Sequence, residues 1–473
     1  MSFLIVDLCG LLAAFLFIYG LKRMASPVTA RSGIRVAGFG MALVVLAAFL
    51  YAMHVTPAAR PHLGTNVLLA VIALVLGLGW AWWRGKRVAI TAMPQMVALY
   101  NGMGGGAAAA IAAVELLSHE ALTALHLGVA LAGALIGAVS LSGSVVAWAK
   151  LDGRLRKPWR IKGQKVLNAL VLLAALALGL AALLASGGPG PGLTAAFFVL
   201  ALAFGILMTL PIGGADMPVL ISLYNACTGL AVGLEGYVLG NPALMIAGMV
   251  VGAAGTLLTL LMAKAMNRSL ANVLFSNFGD VSLASGDDIQ GQMKPAEASD
   301  AAITMRYADK VIIVPGYGLA AAQAQQKLYE FVKLLAEAGV DVKFAVHPVA
   351  GRMPGHMDVL LAEAGVPYDM IFALEDINDA FPDTDVVLVI GANDVVNPAA
   401  RSDKSSPIYG MPILDADRAQ QVYVVKRGQG KGYAGVENAL FYADNCNMVY
   451  GDAQAVMAKM VQAVKALGDA GAA

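Results

Sequence analysis

Apolar residues run in long blocks over the first 265 positions, then break into short runs separated by polar stretches. A helix that crosses a bilayer needs about 20 mostly apolar residues. The blocks predict nine such spans, near 3–20, 35–54, 65–83, 94–116, 122–149, 166–186, 193–212, 217–239 and 241–264. Several are rich in small residues, as in Gly104-Gly105-Gly106-Ala107-Ala108. Small residues let helices approach closely in lipid, where packing replaces the hydrophobic effect. The first half therefore reads as a compact polytopic α-helical membrane bundle.

Past residue 300 the pattern changes to short apolar strands alternating with amphipathic helices. Strands are expected at 311–314, 342–346, 370–373, 386–390, 422–425 and 448–450, with a helix after the first whose apolar positions are 329, 332, 334 and 335. Such alternation predicts a soluble α/β domain with a doubly wound parallel sheet. Between the halves, Asn277–Asp300 is rich in Gly, Ser, Asp and Ala and reads as a linker. The expected organisation is a membrane domain over 1–265, a linker over 266–305 and a nucleotide-binding domain over 306–473.

Composition supports this division. Of 473 residues, 59% are hydrophobic and only 13% charged, against about 25% charged in soluble proteins. A net charge of +1 offers no electrostatic case for nucleic acid. Cys9, Cys227 and Cys446 are too scattered for a disulfide framework or a zinc site. Basic residues cluster in alternate loops: Lys22, Arg23, Arg31 and Arg35, then Arg84, Lys86 and Arg87, then a run from Lys150 to Lys165. The other loops hold one, Arg60. The positive-inside rule then places the N-terminus outside and the C-terminal domain in the cytoplasm.

Polar residues inside spans are expensive and point to function. Asp216 opens the eighth span, and Asn225 follows about 13 Å along the helix. Asn101 lies in the fourth span; Ser140, Ser142 and Ser144 lie in the fifth. The plainer readings are interhelical hydrogen bonds for Asn and Ser, and a helix N-cap for Asp216. No His falls near mid-depth.

In the soluble half, ligands are expected at the carboxyl ends of the strands. Gly316-Tyr317-Gly318-Leu319-Ala320-Ala321 is a G-x-G-x-x-A variant of the dinucleotide fingerprint, following a strand and opening a helix. Arg352 lies between glycines in the His347–His356 loop, and Gly391-Ala392-Asn393-Asp394 follows another strand. Lys426-Arg427 ends a strand ahead of a glycine-rich loop; adjacent cations there suit a phosphate monoester, or form a solvated pair. The second strand ends in Val346-His347, without the acidic residue that holds an NAD ribose, which favours NADP.

These motifs, with Ala215-Asp216-Met217-Pro218, Lys264-Ala265-Met266-Asn267-Arg268-Ser269, His347–Met357, Gly391–Asn397 and Gly432-Tyr433-Ala434-Gly435-Val436, resemble the β subunit of proton-translocating NAD(P) transhydrogenase over nearly the whole chain. The resemblance implies a Rossmann-like NADP(H) domain. It also implies hydride transfer from NADH to NADP⁺ coupled to inward proton flow, with no catalytic acid or base and no metal.

It implies that NADP(H) is held by Gly316, Tyr317 and Gly318, by Val349, Ala350, Gly351, Arg352, Met353, Pro354 and Gly355, and by Gly391, Ala392, Asn393, Asp394 and Asn397. Gly410, Met411, Asp452 and Ala453 would add contacts. Lys426 and Arg427 would take the 2′-phosphate, and Gly432, Tyr433 and Ala434 would cover it. The implied proton pathway comprises Asp216, Asn225, Asn101 and Ser144.

The implied partners are an α subunit carrying the NAD(H) site and extra transmembrane helices, a second protomer, and a bacterial inner membrane. Two positions depart from many relatives, Asn101 in place of His and Gly428 in place of Ser. Asn cannot exchange a proton near neutral pH, so the carrier would be a His on a partner helix, or Asp216 with water. A different class, a transporter or channel whose soluble domain senses a nucleotide, fits the same residues without the resemblance.

Overall fold

The computed structural model describes the chain apart from residues 1–2, 55–61, 119–122, 156–158, 160, 186–187, 214–215, 268, 276–290, 354, 407, 429–435 and 471–473. Arg60, Pro354, Gly432, Tyr433 and Ala434 therefore lie outside the described residues. Its contacts divide it into two compact units, Met1–Pro211 with Leu220–Thr259, and Ile212–Val219 with Leu260–Ala473.

Nine long helices occupy the expected spans: α1 (Phe3–Met24), α2 (Pro27–His54), α3 (Leu63–Gly85), α4 (Met93–Leu117), α5 (Ala124–Leu151), α6 (Gln164–Leu184), α7 (Pro191–Thr209), α8 (Met217–Val238) and α9 (Pro242–Ala265). Among the described residues, eight of them, α2 to α9, are long and apolar enough to cross a membrane. The second helix starts well before the expected residue 35, so Arg31 and Arg35 lie in its first turns and not in a loop. The reason is local: Pro27 suits the first helical position, where no N–H is needed.

Small residues set the helix spacing. A Cβ on Gly248 would fall against the backbone N of Gly233, and one on Gly229 against that of Gly252. A Cβ on Gly255 would lie 2.9 Å from Cα of Ala226. The chain segments of α8 and α9 thus touch backbone to backbone, a fit only glycine permits. Gly248→Ala is expected to lower the stability of the detergent-solubilised protein by about 1–3 kcal/mol, the usual cost of overpacking. Gly38→Ala on α2, with nothing within 4 Å of its Cβ position, should leave the thermal midpoint unchanged or slightly raised. Equal shifts in the two variants would contradict this account of the interface.

The soluble part holds a seven-stranded sheet of β1 (Lys294–Pro295), β2 (Lys310–Pro315), β3 (Asp341–Val346), β4 (Ile371–Ala373), β5 (Val386–Ile390), β6 (Gln421–Lys426) and β7 (Cys446–Tyr450). Every described pairing is parallel, in the order β1-β7-β6-β5-β2-β3-β4. With the short edge strand β1 set aside, this is the doubly wound dinucleotide order, whose switch point lies between β2 and β5. All five residues of β5 are buried, as expected of a strand covered on both faces.

The helices of this unit are α10 (Leu270–Phe275), α11 (Ala298–Arg306), α12 (Tyr317–Ala321), α13 (Gln325–Glu337), α14 (His356–Ala364), α15 (Leu374–Ile377), α16 (Ala399–Ser402) and α17 (Ala453–Ala470). The expected linker range thus contains α10, β1 and α11, and Ala301, Ala302 and Met305 of α11 are fully buried. Along α13 the buried stripe is Leu328, Phe331, Val332 and Leu335. Its i, i+3, i+4, i+7 spacing leaves the expected positions 329 and 334 half-buried.

Candidate functional site

The switch point is built by glycines. Gly316 N donates to Ile390 O (2.9 Å) and Gly318 N to Gly391 O (2.9 Å). A Cβ on Gly318 would sit 2.6 Å from Gly391 Cα. Gly391 itself has φ +73°, with the Gly318 carbonyl carbon 2.6 Å from its Cβ position. The two loops therefore meet without side chains, and α12 opens at Tyr317 with its first amide groups at the carboxyl edge of the sheet. Such a turn lets a nucleotide approach the backbone closely, while the N–H groups of Gly316, Gly318 and Leu319 are themselves taken by the carbonyls of Ile390, Gly391 and Gly316.

Side-chain amides brace the surrounding loops. Asn438 Nδ2 donates to Asn393 O and to Asn393 Oδ1, both at 3.0 Å. Asn397, fully buried, donates to Glu437 O (3.0 Å) and accepts from the N–H groups of Ala399 and Ala439. Asp394 and Ala392 are half-buried in the loop so held.

At the end of β6, Lys426 Nζ lies 4.3 Å from the centre of the Phe441 ring. Burial pulls its ammonium below the usual lysine range, and the negative charges of Asp394 and Glu437 oppose that shift. Arg427 Nε stands 3.6 Å from Asp452 Oδ2, and both side chains are largely exposed. An exposed pair at that distance is weak and gives way readily to a phosphate. Asp452 also accepts from Gln454 N (3.0 Å), next to Ala453 at the start of α17.

The loop after β3 forms the other wall. His347 Nδ1 accepts from Val349 N (3.1 Å), so its Nε2–H donates to Pro412 O (2.8 Å). Burial lowers this imidazole to about 4, which keeps it neutral. Gly351 (φ +105°) and Gly355 (φ +68°) turn the loop. Ala350 and Met353 are buried beneath it, while the Arg352 guanidinium lies 4.0 Å over the Tyr317 ring. His356 Nδ1 accepts from Arg352 N (3.0 Å), and burial together with the Arg352 charge lowers its imidazole. A cavity of about 440 Å³ opens beside this loop, lined among others by His347, His356, Asp358 and Tyr368.

Two contacts extend the same unit away from the sheet. Asn267, left-handed at φ +50°, donates from Nδ2 to Tyr409 O (2.8 Å), beside Gly410 (φ +77°) and Met411. Val349 packs with Val219, Met262, Ala263 and Val273. Asp216, fully buried, lies three residues before Val219.

Within the helical unit, polar side chains form a connected thread. Asn101 Nδ2 lies 3.5 Å from Ser144 Oγ. Thr228 Oγ1 donates to Asn101 O (3.2 Å) and meets Ser140 Oγ at 2.6 Å. Ser140 Oγ also reaches Tyr224 O (3.1 Å), and Tyr224 OH meets Thr209 Oγ1 at 2.5 Å. Thr228, Tyr224 and Thr209 were not singled out from sequence, because single hydroxyls in apolar runs look unremarkable. Asn225 is half-buried on α8 between the two bonded positions.

Glu235 was also missed, although a carboxylate inside an apolar run is the signal that marked Asp216. It is fully buried, and among the described residues neither carboxylate oxygen has a hydrogen-bond partner. Among the described residues, no group of His, Cys, Asp and Glu could hold a metal ion.

The sequence profile of the family described as NAD(P) transhydrogenase beta subunit matches residues 6–463. The NAD(P) transhydrogenase subunit beta of Rhodospirillum rubrum is 44% identical over 466 residues, covering 96% of this chain and 98% of that protein. The protein of the same name from a strain of that species matches with the same identity and coverage.

Proposed function

Since the chain belongs to the NAD(P) transhydrogenase beta-subunit family, we propose that its soluble domain binds NADP(H) and couples hydride exchange with NAD(H) to proton movement through its helices. The carrying observation is the glycine-only meeting of Gly316, Gly318 and Gly391 at the switch point, with Lys426 ending β6 and Arg427 directly after it. The glycine turn suits the diphosphate, and the two cations suit the 2′-phosphate that separates NADP from NAD.

The nicotinamide supplies the hydride chemistry when bound; the protein's contribution is position and exclusion of water. On this reading Tyr317, Arg352 and the Val349–Gly355 loop hold the middle and far end of the dinucleotide. Gly391–Asn397, Gly410, Met411, Asp452 and Ala453 complete the groove, and Gly432, Tyr433 and Ala434 cover it. One fingerprint serves one nucleotide, so NAD(H) would sit on a partner α subunit. Two such protomers would assemble in a bacterial inner membrane, with the N-terminus outside and the soluble domain, from about residue 306, in the cytoplasm.

Asp216, Asn101, Ser144 and Asn225 belong to the proton route in this proposal. Support for coupling comes from the packing of Val349, in the nucleotide loop, with Val219, three residues past Asp216. The test is the full protein reconstituted with its α subunit in sealed vesicles, following reduction of an NADP⁺ analogue by NADH together with lumenal pH. Turnover accompanied by proton movement is expected. Asp216→Asn should cut coupled turnover by at least about tenfold, the low end for losing a proton-transfer group, while NADP(H) binding stays normal. Wild-type protein that moves hydride but no protons would defeat the coupling.

A further inference from the structure

The thread of hydrogen bonds from Asn101 to Thr209 passes through the backbone carbonyls of Asn101 and Tyr224 and contains amides and hydroxyls but no carboxyl. Glu235 carries a carboxyl, which takes up and releases a proton. It lies on α8 seven residues beyond Thr228, two turns or about 10 Å along one face of the helix. Ala231, fully buried between them on that face, is small.

The helices around Glu235 are shaped for it. On α5, Gly133 faces the carboxylate; its Cβ position lies 3.1 Å from Glu235 Cδ and closer still to Oε1. Any side chain there would displace the acid. On α4, Glu115 is the charged neighbour of Glu235. His126 of α5 stacks on Tyr237, two residues further along α8 (ring centres 5.4 Å apart). Among the described residues, neither oxygen has a hydrogen-bond partner.

A carboxyl buried inside an apolar bundle is expensive. Residues that costly mark ion pathways, and among the described residues no hydrogen bond explains this one.

We infer that Glu235 is a proton-carrying residue of the coupled reaction, acting at the end of α8 remote from Asp216. The inference rests on the proposed proton coupling and adds a named carrier within this chain, in place of the His that Asn101 replaces. The step is simple in its balance. One O–H bond forms at a Glu235 oxygen as a proton arrives and breaks as the same proton passes to the hydroxyl thread or out of the bundle. No other bond changes.

The test uses the reconstituted holoenzyme in sealed vesicles, with three proteins: wild type, Glu235→Gln and Glu235→Asp. The Gln variant keeps the shape and cannot titrate; the Asp variant keeps the carboxyl. Proton movement should fall at least about tenfold in Glu235→Gln, with NADP(H) binding unchanged, and largely survive in Glu235→Asp. Pumping by Glu235→Gln within about twofold of wild type overturns the assignment, as does an Asp variant as inactive as the Gln variant. If Glu235→Gln does not assemble, Glu235→Asp decides alone, retained pumping supporting the role and lost pumping refuting it. Wild-type vesicles without proton movement would instead strike the coupling itself, a result distinct from either.

Discussion

Alanine at both Lys426 and Arg427 is expected to weaken NADP(H) binding by about 100-fold or more and to leave the weak binding of NAD(H) nearly unchanged. Hydrogen bonds to charged groups contribute about 1.5–3 kcal/mol each, and about 1.4 kcal/mol is a tenfold change in affinity. Two such contacts to one phosphate therefore give about two decades or more. Both cations stand at the end of β6, a strand buried on both faces, so they are held in place without the nucleotide.

Their present contacts are easily exchanged: Lys426 rests on the face of Phe441, and Arg427 is loosely paired with the exposed Asp452. Titration calorimetry of the double variant with each nucleotide measures the difference. Equal losses for NADP(H) and NAD(H) would remove the 2′-phosphate from this position.

Gly391→Ala should be more damaging still, because it strikes the fold and the groove together. At φ +73° an L-residue pays about 1–2 kcal/mol. The added methyl would also meet the Leu319 N–H and the Gly318 carbonyl carbon. Those are backbone atoms tied into β2 and α12, and they cannot swing aside as a side chain does.

The combined loss is expected to exceed about 3 kcal/mol, within the range of backbone and overpacking lesions, and to abolish nucleotide-dependent stabilisation. Thermal unfolding with and without NADP(H) reads both. Gly428→Ala, with open space at its Cβ position and no positive φ, should unfold like wild type. A Gly391→Ala protein that keeps its midpoint and its NADP(H) shift would show that β2 and β5 do not need to meet this closely.

Much of this architecture was legible in the residues, for identifiable reasons. Lipid demands about 20 apolar residues in a row, a signal too long to arise from a soluble core. The alternation of strands and helices, with glycines after β2 and β5, pointed to a doubly wound sheet. Where reading failed, the cause was three-dimensional. On α13, Val332 and Leu335 are buried as expected, while Leu328 and Phe331 take the places of Tyr329 and Leu334, because the facing partner, not the apolar count, decides which flank is buried. The linker held ordered elements because β1 gains its stability from pairing with β7, more than 150 residues away in the sequence.

The sequence alone settled that the first half is apolar enough to span a membrane and that the second is an α/β domain, since length, hydropathy and residue type carry that information locally. Only the tertiary structure decided that Gly318 and Gly391 touch, that Thr228 joins Asn101 to Ser140, and that Gly133 faces Glu235. These are contacts between residues far apart along the chain. They arise from how whole helices and strands pack, and no local pattern of side chains specifies them.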